Sequence, residues 1–338
     1  MNDWKPDPLG SPFEQLTLDL APDDEGPVTA TLVRSLPATS TDAKAAALLL
    51  SGANVLYVHG WSDYFFQTNV ARFWNDLGAN FYALDLRKYG RSLSPGQTPG
   101  YVDDLKVYDE DISAALAVIN GGSVQATTAD DPDKGPLILV GHSTGGLILT
   151  LWASRNVGVP KALILNSPWL EFQTGEASRK ALSPFVKLHA KLEPKHRYPS
   201  VDFGFYQRAQ EELGVAPDSE YAKWRPSRGF DTHPGWLNAI FEGQEQVRHG
   251  VYVGCPVLVL LSARSSNPAV WTPKMTHTDG VLVVDEIAKT ATNIYPSVTI
   301  VRIRGAIHDV FLSSAESRRQ AFKSVARWIL EHRVADTL

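Results

Sequence analysis

The chain has 338 residues, 43% of them hydrophobic and 20% charged, with a formal net charge of −5 and a sequence pI of about 6.0. That length suits one large α/β domain carrying an insertion, or two modest domains. The acidic balance, without a basic tract or stripe, speaks against a nucleic-acid partner, and no stretch reaches the length of a membrane span.

In chain order, residues 1–12 are Pro-rich and polar and read as an irregular arm. The start, MNDWKPDPLGSPFEQL, has no cationic segment followed by an apolar core, so no signal peptide is expected. Residues 13–20 and 28–36 alternate apolar and polar around a Pro/Asp/Gly turn, which predicts an antiparallel pair at a sheet edge. Residues 43–50 are too rich in Ala and Leu to assign. Residues 54–58 form the next apolar strand, followed by a helix from Thr68 to Leu77 with Val70, Phe73, Trp74 and Leu77 on one face. A strand at 81–86, a Gly/Ser/Pro loop at 89–100 and a helix from Asp103 or Asp104 to about Ile119 come next, before a polar connection at 121–135.

Residues 137–150 read LILVGHSTGGLILT: four apolar residues, a turn with glycines on both sides of Ser143, then a second apolar stretch long enough for a buried helix. This is the G-x-S-x-G nucleophile elbow. Its serine sits on a strained turn, where the positions two before and two after it come too close to neighbouring chain to carry side chains. A strand at 162–165 ends in Asn166-Ser167-Pro168, and the strand–helix alternation over 54–168 predicts a parallel sheet covered on both faces. The pattern then breaks. Residues 169–253 hold aromatic-rich helical segments and no buried strand, an insertion whose aromatics are expected to make their own small core. It leaves from the strand end on the elbow's side, the place of a lid. Strands resume at 256–261 and 298–303, and the last helix, from Ala315 to about His332, turns Ala321, Val325, Trp328 and Ile329 inward. The predicted division is a core of 1–168 and 254–338 with a lid of 169–253.

A serine hydroxyl needs a base, commonly a histidine held by a carboxylate, and in elbow folds the order is Ser, Asp/Glu, His. His308, in a loop between a strand and the last helix, has the right setting; His249 and His332 lack it, and His277, in the polar stretch after a strand, stays open as an alternative by position. The acid is less direct, because 262–278 contain no Asp or Glu. Asp279 comes first, at what reads as a loop-to-helix junction where it would also cap the helix, with Asp285 and Glu171 as alternatives. The oxyanion that forms on attack needs preset backbone donors. The N–H of Thr144, after the nucleophile, and that of Trp61, in the turn His59-Gly60-Trp61, fit that role. His59 reads as architectural and His142 as a variable elbow residue. The single cysteine, Cys255, precedes Pro256 and an apolar run and reads as packing; with no internal disulfide available, it fits a reducing, cytoplasmic setting. No His/Cys/carboxylate cluster has metal-ligand spacing, so no metal or cofactor is expected.

These residues carry a resemblance. HGWSDY at 59–64, DLRKYGRS at 85–92, GHSTGG at 141–146, NSPWL at 166–170 and GAIHDVF at 305–311 resemble the α/β-hydrolases of the monoacylglycerol lipase and lysophospholipase type, also grouped with the serine aminopeptidases. The likeness runs from about residue 27 to the end and is weakest in the insertion. It implies an eight-stranded, mostly parallel sheet, a helical lid after Pro168, and hydrolysis of a small-molecule acyl ester through an acyl-serine. Two departures stand out: Lys88 occupies a position usually held by glycine, and SARSSNPAVWTPKMTHT lengthens the loop before Asp279. Amide hydrolysis or acyl transfer on the same triad is the second reading and a non-catalytic binding protein the third. A homodimer through the lid is a further expectation.

Overall fold

The computed structural model describes residues 3–37, 49–121, 135–173, 176–198, 203–266, 270–332 and 334. The unassigned stretch at 43–50 and the polar connection at 121–135 fall largely outside them.

The alternating and apolar runs become β1 (Lys5–Pro6), β2 (Glu14–Asp23), β3 (Gly26–Ser35), β4 (Asn54–Val58), β5 (Asn80–Asp85), β6 (Leu137–His142), β7 (Ala162–Asn166), β8 (Val251–Ser262) and β9 (Ile294–Ile303). They make one sheet in the order β1-β2-β3-β5-β4-β6-β7-β8-β9. The pairings from β5 through β4 to β9 are parallel. The other three, at the β1–β3 edge, are antiparallel. The sheet therefore has nine strands, not the eight implied by the resemblance. The extra one comes from the arm read as irregular: Lys5 and Pro6 pair with Gln15 and Glu14, and next to them Asp7 is buried against Arg91, 2.7 Å away. A buried guanidinium that also meets Asp85 at 2.8 Å needs the second carboxylate, and this holds the arm on the sheet.

Alternation along the strands sorts the core into two layers. Leu56, Val58, Leu139, Leu163 and Leu165 face one side, with α2 (Tyr108–Ile119), α3 (Thr144–Arg155), α6 (Pro234–His249) and α7 (Val284–Ala291) packed there. Val55, Tyr57, Ile138, Val140 and Ile164 face the other, under α1 (Thr68–Asp76) and α8 (Ala315–Glu331). Ala321, Val325, Trp328 and Ile329 of α8 are all buried, as their spacing predicts. Each large side chain so buried contributes on the order of 1.5–3 kcal/mol. In α1 the buried residues are Val70, Ala71 and Trp74, while Phe73 and Leu77 are only partly covered. The helix expected from Asp103 or Asp104 starts later: Asp104 accepts from Lys106 N (2.8 Å) and caps a short 3₁₀ turn before α2.

The segment between β7 and β8 carries α4 (Glu176–Leu192), α5 (Phe205–Glu212) and α6. Its aromatics do not form a separate core. Trp169, Phe172, Phe230, Trp236 and Phe241 join the layer of α2 and α3, because α6 lies directly against α3 and shares its apolar face. β8 already begins at Val251, so the last residues expected in the insertion are strand.

Lys88 has φ +62°, a left-handed conformation that explains why glycine would be the default there. A lysine is kept because its amine is buried between Asp23 (2.6 Å) and Glu25 (2.7 Å). Burial by itself would raise the Glu25 pKa. Hydrogen bonds from Lys88, Thr98 and Lys195 outweigh it and hold that carboxyl well below its usual range.

Candidate active site

The elbow forms where β6 turns into α3. Ser143 has φ +50° and ψ −116°, a strained conformation for a residue with a Cβ. The glycines around it answer to close approach. A Cβ on Gly141 would lie 2.7 Å from Gly146 Cα, and one on Gly145 would lie 2.3 Å from the His59 carbonyl oxygen and 2.4 Å from that of Val58. The turn is thus wedged against the end of β4. Ser143 N donates to Asn166 O (3.0 Å), which ties the elbow to β7.

Ser143 Oγ lies 3.0 Å from His308 Nε2. His308 Nδ1 lies 2.9 Å from Asp279 Oδ2. All three residues are buried. The late position of Asp279 is resolved by the path of its loop. Past β8, Asp279 pairs with Ser265 in an isolated parallel bridge. Asp279 N donates to Arg264 O (2.9 Å) and Ser266 N donates to Asp279 O (2.8 Å). The long loop therefore delivers Asp279 to the end of β8. Its other oxygen, Oδ1, accepts from Val281 N and Leu282 N, both at 2.8 Å. Asp279 caps a turn, as expected of a junction residue, but α7 itself begins later, at Val284. The alternatives are engaged elsewhere. Asp285 pairs with Arg302 at 2.6 Å on the surface, and Glu171 is buried against Arg179 at 2.7 Å.

Among the described residues neither Thr144 N nor Trp61 N has a hydrogen-bond acceptor. Gly60 is what lets the Trp61 turn close in, since a Cβ there would stand 3.0 Å from Ser143 Cβ. His59 is architectural: its Nδ1–H donates to Gly60 O (2.7 Å) and its Nε2 accepts from Leu86 N (3.1 Å). Burial pushes its pKa down, consistent with that neutral tautomer. His142 is buried beside His308, ring centroids 5.0 Å apart, with Nδ1 3.1 Å from Asn166 O. Burial lowers its pKa too.

Side chains of the segment between β7 and β8 contact residues around this centre, and sequence patterns give no sign of those contacts. The Trp61 ring lies 3.6 Å (centroid to centroid) from Trp236 and 5.9 Å from Phe230. Phe230 N donates to Ser62 Oγ (3.0 Å). Arg225 Nε is 3.0 Å from Asp63 Oδ1, and its guanidinium lies 5.6 Å from the Tyr206 ring centre. That ring meets His308 edge-on at 5.5 Å. Burial raises the pKa of Asp63, with Arg225 opposing it. Burial likewise raises that of the Tyr206 hydroxyl. These are long-range pairs between residues that lie up to 175 positions apart, so no local pattern in the sequence marks them. The structure also gathers His189, Glu193 and His196, one ligand atom from each within 4.8 Å of the others, counter to the expectation that no cluster has metal-ligand spacing.

The fold and the Ser143–His308–Asp279 geometry are those of an α/β-hydrolase. A family model described as serine aminopeptidase, S33 matches residues 51–265. A monoacylglycerol lipase of Mycolicibacterium smegmatis (strain ATCC 700084 / mc(2)155) is 24% identical over 287 residues, 82% of this chain and 88% of that protein. A soluble variant of monoglyceride lipase from Saccharomyces cerevisiae, solved with a substrate analogue, superposes with a TM-score of 0.65 at 15% identity, covering 94% of this chain and 96% of that one. The monoacylglycerol lipase of Paleococcus ferrophilus superposes with a TM-score of 0.55 at 15% identity, covering 82% and 94%. At such identities the superpositions speak to the fold. The chain belongs to the serine aminopeptidase S33 family of α/β-hydrolases, the family of the monoacylglycerol lipases, and is a hydrolase. No helix among the described residues is long and apolar enough to cross a membrane.

Proposed function

We propose that this hydrolase cleaves carboxylic esters of the monoacylglycerol or lysophospholipid kind through an acyl-serine intermediate. The observation that carries the reading is the continuous hydrogen-bond chain from Asp279 through His308 to Ser143. Ser143 Oγ attacks the ester carbonyl carbon while His308 Nε2 takes its proton. Asp279 holds the imidazole in the tautomer that leaves Nε2 free and stabilises the imidazolium that forms. The N–H groups of Trp61 and Thr144 meet the negative charge on the tetrahedral oxygen. His308 then gives its proton to the departing alcohol, and a water repeats the sequence on the acyl-serine to release the acid.

The substrate class rests on the relatives' names and on the apolar cover of Trp61, Trp236 and Phe230 beside the donors. Residues 169–253 act as the lid in this reading, over a core of 1–168 and 254–338. The buried single cysteine, Cys255, whose thiol burial pushes up to about 12, suits a cytoplasmic setting. We also place a homodimer contact on the lid, because Leu182, Phe185, Leu188 and Leu192 form an exposed face of α4. Phe185→Asp should leave a monomer where wild type sediments as a dimer, and a monomeric wild type overturns this contact alone.

The test of the chemistry is hydrolysis of an ester panel, acetyl through palmitoyl and including monoglycerides, by wild type and Ser143→Ala. Ser143→Ala should lower kcat by about 10^4 to 10^6, and wild-type turnover should rise with acyl length. Full activity in Ser143→Ala overturns the mechanism. Turnover of amides in place of esters favours the peptidase reading that the family name carries.

A further inference from the structure

We infer that His189, Glu193 and His196 form a binding site for a divalent transition-metal ion at the end of α4. His189 lies in the last turn of that helix, and the other two follow within seven residues, as H-x3-E-x2-H. One ligand atom from each lies within 4.8 Å of the others. The Glu193 carboxylate is 3.8 Å from His189 Nε2 and 3.2 Å from His196 Nδ1. A tetrahedral ion with metal–ligand bonds of about 2.0–2.1 Å spaces neighbouring ligand atoms by about 3.3–3.4 Å. The two spacings bracket that value, so small side-chain rotations complete the set.

The surroundings hold the ligands for that purpose. His189 Nδ1 is 2.9 Å from the Tyr198 hydroxyl. With the hydrogen on Nδ1, this bond fixes the tautomer that leaves the Nε2 lone pair toward Glu193, as the outer partner of a metal-bound imidazole does. The backbone is fixed as well. Glu193 N donates to His189 O (2.8 Å), and His196 N donates to Glu193 O (3.1 Å). His233 Nδ1 is 3.0 Å from both the Lys195 and His196 carbonyl oxygens. The two flanking cations do not oppose an ion freely, since Lys195 is held by Asp24 and Glu25 and Arg197 faces Asp231. Two imidazoles and one carboxylate suit zinc, and also nickel and copper, whereas calcium and magnesium require oxygen ligands throughout. The half-exposed position leaves the remaining coordination places to water. An ion there would tie the last turn of α4 to the strand-like bridge between Tyr198 and Thr232, stiffening the insertion. None of this depends on the ester chemistry.

The experiment is a titration of the full chain with zinc chloride against a chromophoric chelator, together with thermal melts. Wild type should take up one ion per chain, and its Tm should rise with zinc. His189→Ala, His196→Ala and Glu193→Gln, all at partly exposed positions, should each weaken uptake by at least about tenfold and abolish the Tm rise. His249→Ala is the control, because that exposed histidine also faces a glutamate, Glu245, at 3.5 Å; it should change nothing. No uptake at millimolar zinc overturns the proposal, and so does uptake unchanged in the His189→Ala/His196→Ala pair or lost in His249→Ala.

Discussion

Ser143 and Asp279 meet the same histidine, but the chain builds the two positions by opposite means. Ser143 is placed locally. The strand before it, the glycines around it and the helix after it are contiguous, and the close contacts of Gly141 and Gly145 leave the turn almost no alternative. Asp279 is placed at long range. It lies well past the end of β8, and a single backbone bridge to Ser265 and two bonds to Val281 and Leu282 bring it back. A site can therefore combine a part that sterics dictate with a part that only loop closure supplies, and the two should respond differently to substitution.

The largest effect expected after that of Ser143→Ala is on the acid side. Asn in place of Asp279 keeps an oxygen for Val281 and Leu282, so the loop stays. Its amide cannot serve the imidazole in the required tautomer, and kcat should fall by about 10^4. Asp285→Asn and Glu171→Gln, measured beside it, should stay within about tenfold of wild type if those residues carry no catalytic role. A wild-type rate in Asp279→Asn would break the comparison at its acid end.

Next comes Gly145→Ala. Its methyl would stand 2.3 Å from the His59 carbonyl oxygen, so either β4 or the elbow must shift. A cost of about 1–3 kcal/mol is expected in denaturant unfolding. A displaced nucleophile should lose about 10²-fold in kcat/KM. Normal kinetics would mean that the elbow is less rigid than its contacts require. The smallest effect is expected from Ser265→Ala. Ser265 Oγ accepts from Val284 N at 2.7 Å, a bond that fastens the outgoing limb of the loop, which Asp279 pairs with, to the start of α7. Its loss should cost about 1 kcal/mol of stability and shift kcat less than about tenfold, because the bridge and the Asp279 bonds remain. A drop as deep as that of Asp279→Asn would show that this one bond sets the acid's position.

Much of the fold was legible because it rests on short-range pattern. Period-two alternation gave the edge pair, apolar runs gave β4 to β7, and helical spacing gave the inward face of α8. The arm reads as irregular because Lys5 and Pro6 have no strand signature of their own. They pair only because β2 offers an open edge and Asp7 answers the buried Arg91. The expected separate core of the insertion failed for a related reason: composition counts aromatics but does not say what they pack against. Likewise the expectation of no metal-ligand cluster fails at His189, Glu193 and His196, because it is the helix end and the turn after it that bring their side chains together.

The elbow turn at Ser143, the loop between strand and last helix that holds His308, and the parallel sheet between them are legible from sterics and periodicity among near neighbours. Tertiary structure alone decided that Asp279, and not Asp285 or Glu171, faces His308. It alone decided that Trp61 lies under Trp236, and that Arg225 spans Asp63 and Tyr206. The physical reason is common to all of these. A contact between distant residues is selected by the folded geometry that closes the intervening loop and compensates buried charge, and neither quantity is written in a local run of side chains.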